Sequence, residues 1–318
     1  MNKKLESMIR FLIKYNTIFI FIVLVILSSL ISDVFFSAIN LSNLLKQVSV
    51  IGIVSIGMLI VIITGGIDLS VGSMVALLGV SFALLINILV LPAALLITVL
   101  IGLFIGSISG YLVTKHKMAP FIATLALMTI ARGGAFIYSK GAPVIFDSVG
   151  GGLMTNFGNE SFMGIPNVAI VFISIVIIAQ IMLKYNVFGR LIIAIGSNEE
   201  ASILSGIKVN KYKFLVYSIS GGLAGIAGII AASRTNLGSP NFGVGLELDA
   251  IAAVVIGGAS LNGGKGSAIN TLMGVLILGL IGNILNLLNV PSYPQQVIKG
   301  LIIIFAVLLQ RFEDKYQS

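Results

Sequence analysis

The chain has 318 residues, 58% hydrophobic and only 9% charged, with a formal net charge of +8. Soluble domains carry about 25% charged residues, so a globular enzyme with an anchor is excluded in favour of one polytopic transmembrane domain over residues 1–318. There is no cysteine, which excludes disulfides, thiolate metal sites and cysteine nucleophiles, and the positive charge reads as membrane orientation, not as affinity for nucleic acid.

In chain order, Lys3, Lys4, Arg10 and Lys14 precede an apolar run from Thr17 to Ile31. This pattern resembles a signal peptide, but no small-residue cleavage site follows, and a retained first span is predicted. At about 20 apolar residues per crossing, the candidate spans are 17–31, 46–64, 69–87, 91–114, 119–139, 165–183, 213–232, 248–261, 268–288 and 296–310. The predicted fold is therefore an all-α bundle of about ten spans.

Orientation follows from the basic residues. With the N-terminus inside, 14 of 19 fall on the cytoplasmic side: Lys3, Lys4, Arg10, Lys14, Lys115, Lys117, Lys184, Arg190, Lys208, Lys211, Lys213, Lys265, Arg311 and Lys315. The exceptions are Lys46, Arg132, Lys140, Arg234 and Lys299. Both termini are predicted cytoplasmic. The single histidine, His116, sits between Lys115 and Lys117 and reads as a solvated loop residue, since a metal site needs several convergent ligands.

Polar and small residues interrupt the apolar runs at six places. Gly65, Gly66, Asp68 and Ser70 separate the second and third spans. A carboxylate there is costly in lipid, and Asp68 is either a cap of the third helix or a residue of the gate or substrate path. The outer connection near 140–164, rich in Gly and Asn, suits a short surface helix or a docking edge. The cytoplasmic loop 184–212 carries Glu199 and Glu200 between basic residues. In the seventh span Gly221, Gly225 and Gly228 lie in small-xxx-small patterns that let helices approach closely. Beyond it, Arg234, Glu247 and Asp249 are expected near the outer edge, paired as anchors or as an outer gate. A second glycine pair, Gly257-Gly258 with Leu261, matches Gly65-Gly66 with Leu69, a short sign of an internal repeat.

No HExxH, GxSxG or Ser-His-Asp set is present. The spans also lack the Asp, Glu and His chains of proton-coupled carriers. Gly263-Gly264-Lys265-Gly266 is no phosphate loop, having neither the spacing nor a preceding strand. No cofactor is expected on this chain, and the energy for transport is expected to come from elsewhere.

The stretches GGIDLSVGSMVAL (65–77), PFIATLALMTIARG (120–133), FGRLIIAIGSNEEASILSGIKV (188–209), GSPNFGVGLELDAIAAVVIGGASLNGGKGS (238–267) and PQQVIKGLIIIFAVLLQR (294–311) resemble the permease subunits of ribose-type sugar ABC importers, a group that belongs with the branched-chain amino acid permeases. The resemblance implies the ABC importer permease fold and a multi-pass protein of the cytoplasmic membrane with no chemistry of its own. Its implied partners are a second permease copy (identical or a close paralogue), a cytoplasmic ABC ATPase that binds ATP and Mg, an extracytoplasmic sugar-binding protein, and membrane lipid.

The importer motif E-A-A-x3-G appears as Glu200-Ala201-Ser202-x3-Gly206, with Ser in place of the second Ala and no I-x-L-P downstream. By this resemblance Asn198, Glu199, Glu200, Ala201, Ser202, Ser205 and Gly206 couple the chain to its ATPase. They are expected as a short cytoplasmic helix with a small face at Ala201 and Ser205, stopped by a left-handed Gly206. Gly65, Gly66, Asp68, Ser70, Glu247 and Asp249 remain candidates for the pathway or gate. Ribose is the first expectation for the cargo. The alternatives are a branched-chain amino acid or nucleoside permease of the same superfamily and, from another class, a stand-alone secondary carrier.

Overall fold

The helix that organises the protein is Val209–Thr235, whose residues from Val216 onward are almost all buried. A computed structural model describes residues 16–302 and 304. The basic residues at 3, 4, 10, 14, 311 and 315, and the last predicted span beyond 304, lie outside them. In chain order the helices are α1 (Asn16–Ile31), α2 (Ala38–Ile63), α3 (Val71–Ile86), α4 (Leu91–Thr114), α5 (Pro120–Ser139), α6 (Val149–Asn159), α7 (Asn167–Tyr185), α8 (Val187–Ser197), α9 (Glu199–Leu204), α10 (Val209–Thr235), α11 (Leu246–Ile256) and α12 (Ala268–Leu287). Residues 292–302 are helical again.

Six helices, α2, α4, α5, α7, α10 and α12, are long and apolar enough to cross a membrane. α2 and α10 are the most buried of these and α4 is the least. α4 shows why: Thr98, Gly102, Gly106 and Gly110 repeat every four residues on its buried face, while Leu96, Leu100 and Phe104 are exposed on the other.

Small residues set the packing. A Cβ on Gly102 would strike the carbonyl of Gly221, and one on Gly106 that of Tyr217. A Cβ on Gly221 would strike the Gly102 carbonyl, and one on Gly225 would lie 3.3 Å from the Thr98 carbonyl. On its other side α10 meets α3, where a Cβ on Gly228 would lie 2.9 Å from the nitrogen of Gly79. Without a hydrophobic drive between helices in lipid, such close backbone approach is what holds them. The expected small face of the seventh span therefore has a partner stripe on α4.

The outer connection does contain a helix, α6, begun by Ser148, whose side chain accepts from the backbone N–H of Gly151. Lys46 donates to the Asn159 carbonyl at its far end (2.6 Å). Two small antiparallel ribbons complete it. β1 (Val144–Ile145) pairs with β4 (Leu237–Gly238), and β2 (Ser161–Phe162) with β3 (Ile165–Pro166).

The predicted span at 248–261 is different in kind. After α10 the chain turns at Asn236 (φ 59°) and runs back beside α3. Gly238 packs on Gly79 and Val80, and Gly243 on Gly72. Seven residues of α3 correspond to a descent of about 10 Å before the short α11 begins at Leu246. The predicted span at 248–261 is thus a half-length helix, entered through a re-entrant segment made mostly of turns.

Candidate functional site

α9 begins with Asn198, whose backbone is extended and whose side-chain oxygen accepts from Ala201 N–H (2.9 Å). This satisfies one of the free donors at a helix start, and Glu199 and Glu200 suit its positive end. The helix stops where Gly206 adopts φ 80°. There Gly206 N–H donates to the Ile203 carbonyl (2.9 Å) and Ile207 N–H to that of Ser202 (3.0 Å). An L side chain at that φ costs about 1–2 kcal/mol.

The residues of α9 divide by direction. Ser202 is buried, so it faces the protein and not a partner, and its hydroxyl donates back one turn to the Asn198 carbonyl (2.8 Å). Glu199 pairs with Lys213 of α10 (2.6 Å). Glu200, Ala201 and Ser205 are exposed, and with them Ile203 at 56% and Leu204 at 89%. Sequence reading found the small face but overlooked these two apolar side chains. Their signal was their place just before a helix-stopping glycine in an otherwise polar loop.

The preceding α8 buries Gly189, Ile192 and Ile195 on one face. It starts at Asn186, whose side chain accepts from Phe188 N–H (2.9 Å). It ends in a joint of three glycine-bearing strands of backbone. A Cβ on Gly196 would overlap the Ile63 carbonyl at the end of α2, and one on Gly263 would lie 2.9 Å from the Gly196 carbonyl and 3.0 Å from Gly65 N. Gly264 N–H donates to Ile63 O (2.9 Å). Both glycine-rich loops singled out in the sequence therefore touch the segment that carries α9.

The repeat match is shifted by one residue. Gly65 N–H donates to Ile62 and Gly66 N–H to Val61; the same bonds run from Gly258 to Val255 and from Ala259 to Val254. Gly65 (φ 77°) is thus equivalent to Gly258 (φ 83°), not to Gly257.

Asp68 is fully buried. Its Oδ1 accepts from the Ser70 backbone (3.1 Å) and the Ser70 hydroxyl (2.6 Å), and its Oδ2 from the Ser220 hydroxyl (3.1 Å). Ser70 occupies the cap position of α3 but makes no capping bond itself. Asp68 ties the start of α3 to α10, and Tyr217 stands beside it against Gly66.

Glu247 and Asp249 are not at an outer edge. The re-entrant segment carries them inward, Glu247 against Gly72 at the first turn of α3. The expected pairing with Arg234 is absent among the described residues; Asp249 pairs instead with Lys299 (2.8 Å). Arg132 of α5 reaches across to the carbonyls of Pro240 (2.6 Å) and Phe242 (2.7 Å) through one nitrogen, Nη1.

A bundle of apolar helices closed by glycine contacts, with an exposed helix on a connecting loop, defines a multi-pass protein of the cell membrane. Residues 40–307 match the family of the permease component of the branched-chain amino acid transport system, and the chain belongs to that family. It is 46% identical to the ribose import permease protein RbsC of Bacillus subtilis, covering 91% of this chain and 90% of that one. It is 44% identical to RbsC of Escherichia coli K12, over 94% of both chains. The L-arabinose transport system permease protein AraH of E. coli K12 is 37% identical over 95% of this chain and 92% of its own. No solved structure matches the chain.

Proposed function

We propose that this chain is the transmembrane subunit of an ATP-driven importer of ribose or a closely related monosaccharide. It crosses the membrane about ten times, with both termini in the cytoplasm. The observation that carries this reading is α9: a capped, glycine-stopped helix whose exposed face is Glu200, Ala201, Ile203, Leu204 and Ser205. An isolated helix of six residues does not hold its shape in water. This one is anchored by Ser202, Glu199 and the glycine joint, as a docking element must be. It docks in a groove of a cytoplasmic ABC ATPase, which binds ATP and Mg and does the hydrolysis. Motion of the ATPase passes through α8 to the ends of α2, α11 and α12.

Sugar as the cargo is supported by relatives named for ribose and L-arabinose import over nearly their whole length. The orientation is supported by three of the basic residues that the charge count left outside. Lys46, Arg132 and Lys299 are held by the Asn159 carbonyl, the Pro240 and Phe242 carbonyls and Asp249, which accounts for them without reversing the topology. An external sugar-binding protein and a second permease copy complete the importer. The test is reconstitution of the four components in liposomes with labelled ribose and L-arabinose. ATP-dependent accumulation of ribose is expected; accumulation that persists without ATPase or ATP means a secondary carrier.

A further inference from the structure

Arg132 lies 12 residues from Pro120 and 7 from Ser139 in α5, about 18 Å and about 10 Å along the axis. It is therefore at membrane depth, and the segment 239–247 that it holds is at that depth too. Non-helical backbone at such depth is tolerated only where it is buried in protein or lines water. This segment is not fully buried: Asn241 is exposed, and Glu247, like Arg132 facing it, is partly exposed. On α4 the exposed residues at the same depth are all apolar, Leu96, Leu100 and Phe104, whereas here the three polar side chains stand among exposed Ile130, Val244 and Leu248. Charged and amide side chains do not face hydrocarbon. The part of this surface at Arg132, Asn241 and Glu247 must meet water or a polar partner.

Its chemistry is specific. Arg132 spends one nitrogen on the Pro240 and Phe242 carbonyls, leaving other guanidinium N–H groups directed elsewhere. The Glu247 carboxylate accepts from its own backbone N–H and from that of Gly245, which leaves acceptor capacity free, and it is near enough to Arg132 to act on it electrostatically. The two form no ion pair within 4.0 Å. A donor fork and an acceptor carboxylate held apart, with the exposed Asn241 between the two residues whose carbonyls hold Arg132, match the alternating donors and acceptors of a neutral polyol. A fixed cation or anion would be met by only half of this set. The two charges offset one another, so a neutral molecule is not trapped by a net field.

We propose that Arg132, Glu247 and Asn241 form a water-lined contact site for sugar hydroxyls partway along the translocation path, on the face where the second copy closes the channel. This rests on the importer reading above. Arg132 also positions the re-entrant backbone, so its replacement would mix two effects, and the test uses the other two residues.

In the reconstituted importer, Glu247→Gln is expected to lower the sugar uptake rate by about tenfold or more, the effect of losing a hydrogen bond to a charged group. Co-purification of the variant with the ATPase serves as the check on folding. Because the chain has no cysteine, Asn241→Cys gives a single thiol. It is expected to react with a charged, water-soluble thiol reagent at least about tenfold faster than Leu100→Cys on the apolar face of α4. Wild-type uptake by an assembled Glu247→Gln importer, or labelling of Asn241→Cys as slow as that of Leu100→Cys, overturns the site. If Glu247→Gln does not assemble, the labelling ratio decides. If the unsubstituted importer takes up no sugar while Asn241→Cys labels rapidly, the importer reading fails and the water-lined face stands.

Discussion

The turns at Gly65 and Gly258 close helices α2 and α11 with the same two hydrogen bonds and the same left-handed glycine, yet the loops beyond them are held differently. After Gly65, the buried Asp68 collects donors from Ser70 and Ser220 and binds α3 to α10. After Gly258 there is no buried carboxylate. The loop is held by backbone bonds, Ser260 N–H to Lys265 O (3.1 Å) and Gly264 N–H to Ile63 O (2.9 Å), and by glycines pressed on α8. The first is a brace inside the bundle. The second is a joint to the segment that carries α9, and a joint made of backbone passes on displacement with little slack because nothing in it can change rotamer.

The largest effect should come from breaking the joint. In Gly196→Val the first added carbon already overlaps the Ile63 carbonyl, and overpacking of this kind costs about 3 kcal/mol. A clear drop in the melting temperature of the purified protein is expected; a melt unchanged from wild type would mean that the joint is slack.

The brace should respond next, and by chemistry. Asp68→Ala strands two buried hydroxyls and a backbone N–H, a loss of about 1–3 kcal/mol. Asp68→Asn keeps an acceptor oxygen and should lie between alanine and wild type in the same melt. Equal destabilisation by both variants would point to a need for charge that the hydrogen bonds do not explain.

The smallest effect tests the likeness of the two turns. Gly65→Ala and Gly258→Ala each force an L residue into the left-handed region, with no clash at the new carbon: it meets only the Asn262 carbonyl at 3.7 Å at Gly65 and open space at Gly258. Each should cost about 1–2 kcal/mol, to within a few tenths of the other. A large difference would show that the shared turn geometry hides a different strain.

Much of the bundle was legible from residues alone, because apolar length and turn chemistry are local. The boundaries of α4 and α5 fall close to their predicted spans, and α9 follows from Asn198 at one end and Gly206 at the other. The stripe Gly102, Gly106, Gly110 was also visible, at the spacing that flagged Gly221 and Gly225, but it was passed over inside an unbroken apolar run. The re-entrant segment was not legible. Gly, Ser, Pro and Asn between 236 and 245 carry no apolar pattern that signals depth, and only the contacts with Gly72 and Gly79 and the reach of Arg132 bring the segment inward. Glu247 and Asp249 were misplaced for the same reason, and Lys299, some 50 residues on, is the partner of Asp249.

The central claim is that α9 is the face on which an ATPase docks, and Leu204 is its most exposed apolar residue at 89%. The direct measurement is disulfide or short-linker cross-linking from Leu204→Cys, a single thiol in this chain, to single cysteines placed around the surface groove of the partner ATPase. A cross-linked band whose yield changes between ATP-bound and nucleotide-free states is predicted. A Leu204→Cys thiol that stays freely reactive in the assembled complex and cross-links to none of those positions would contradict the account.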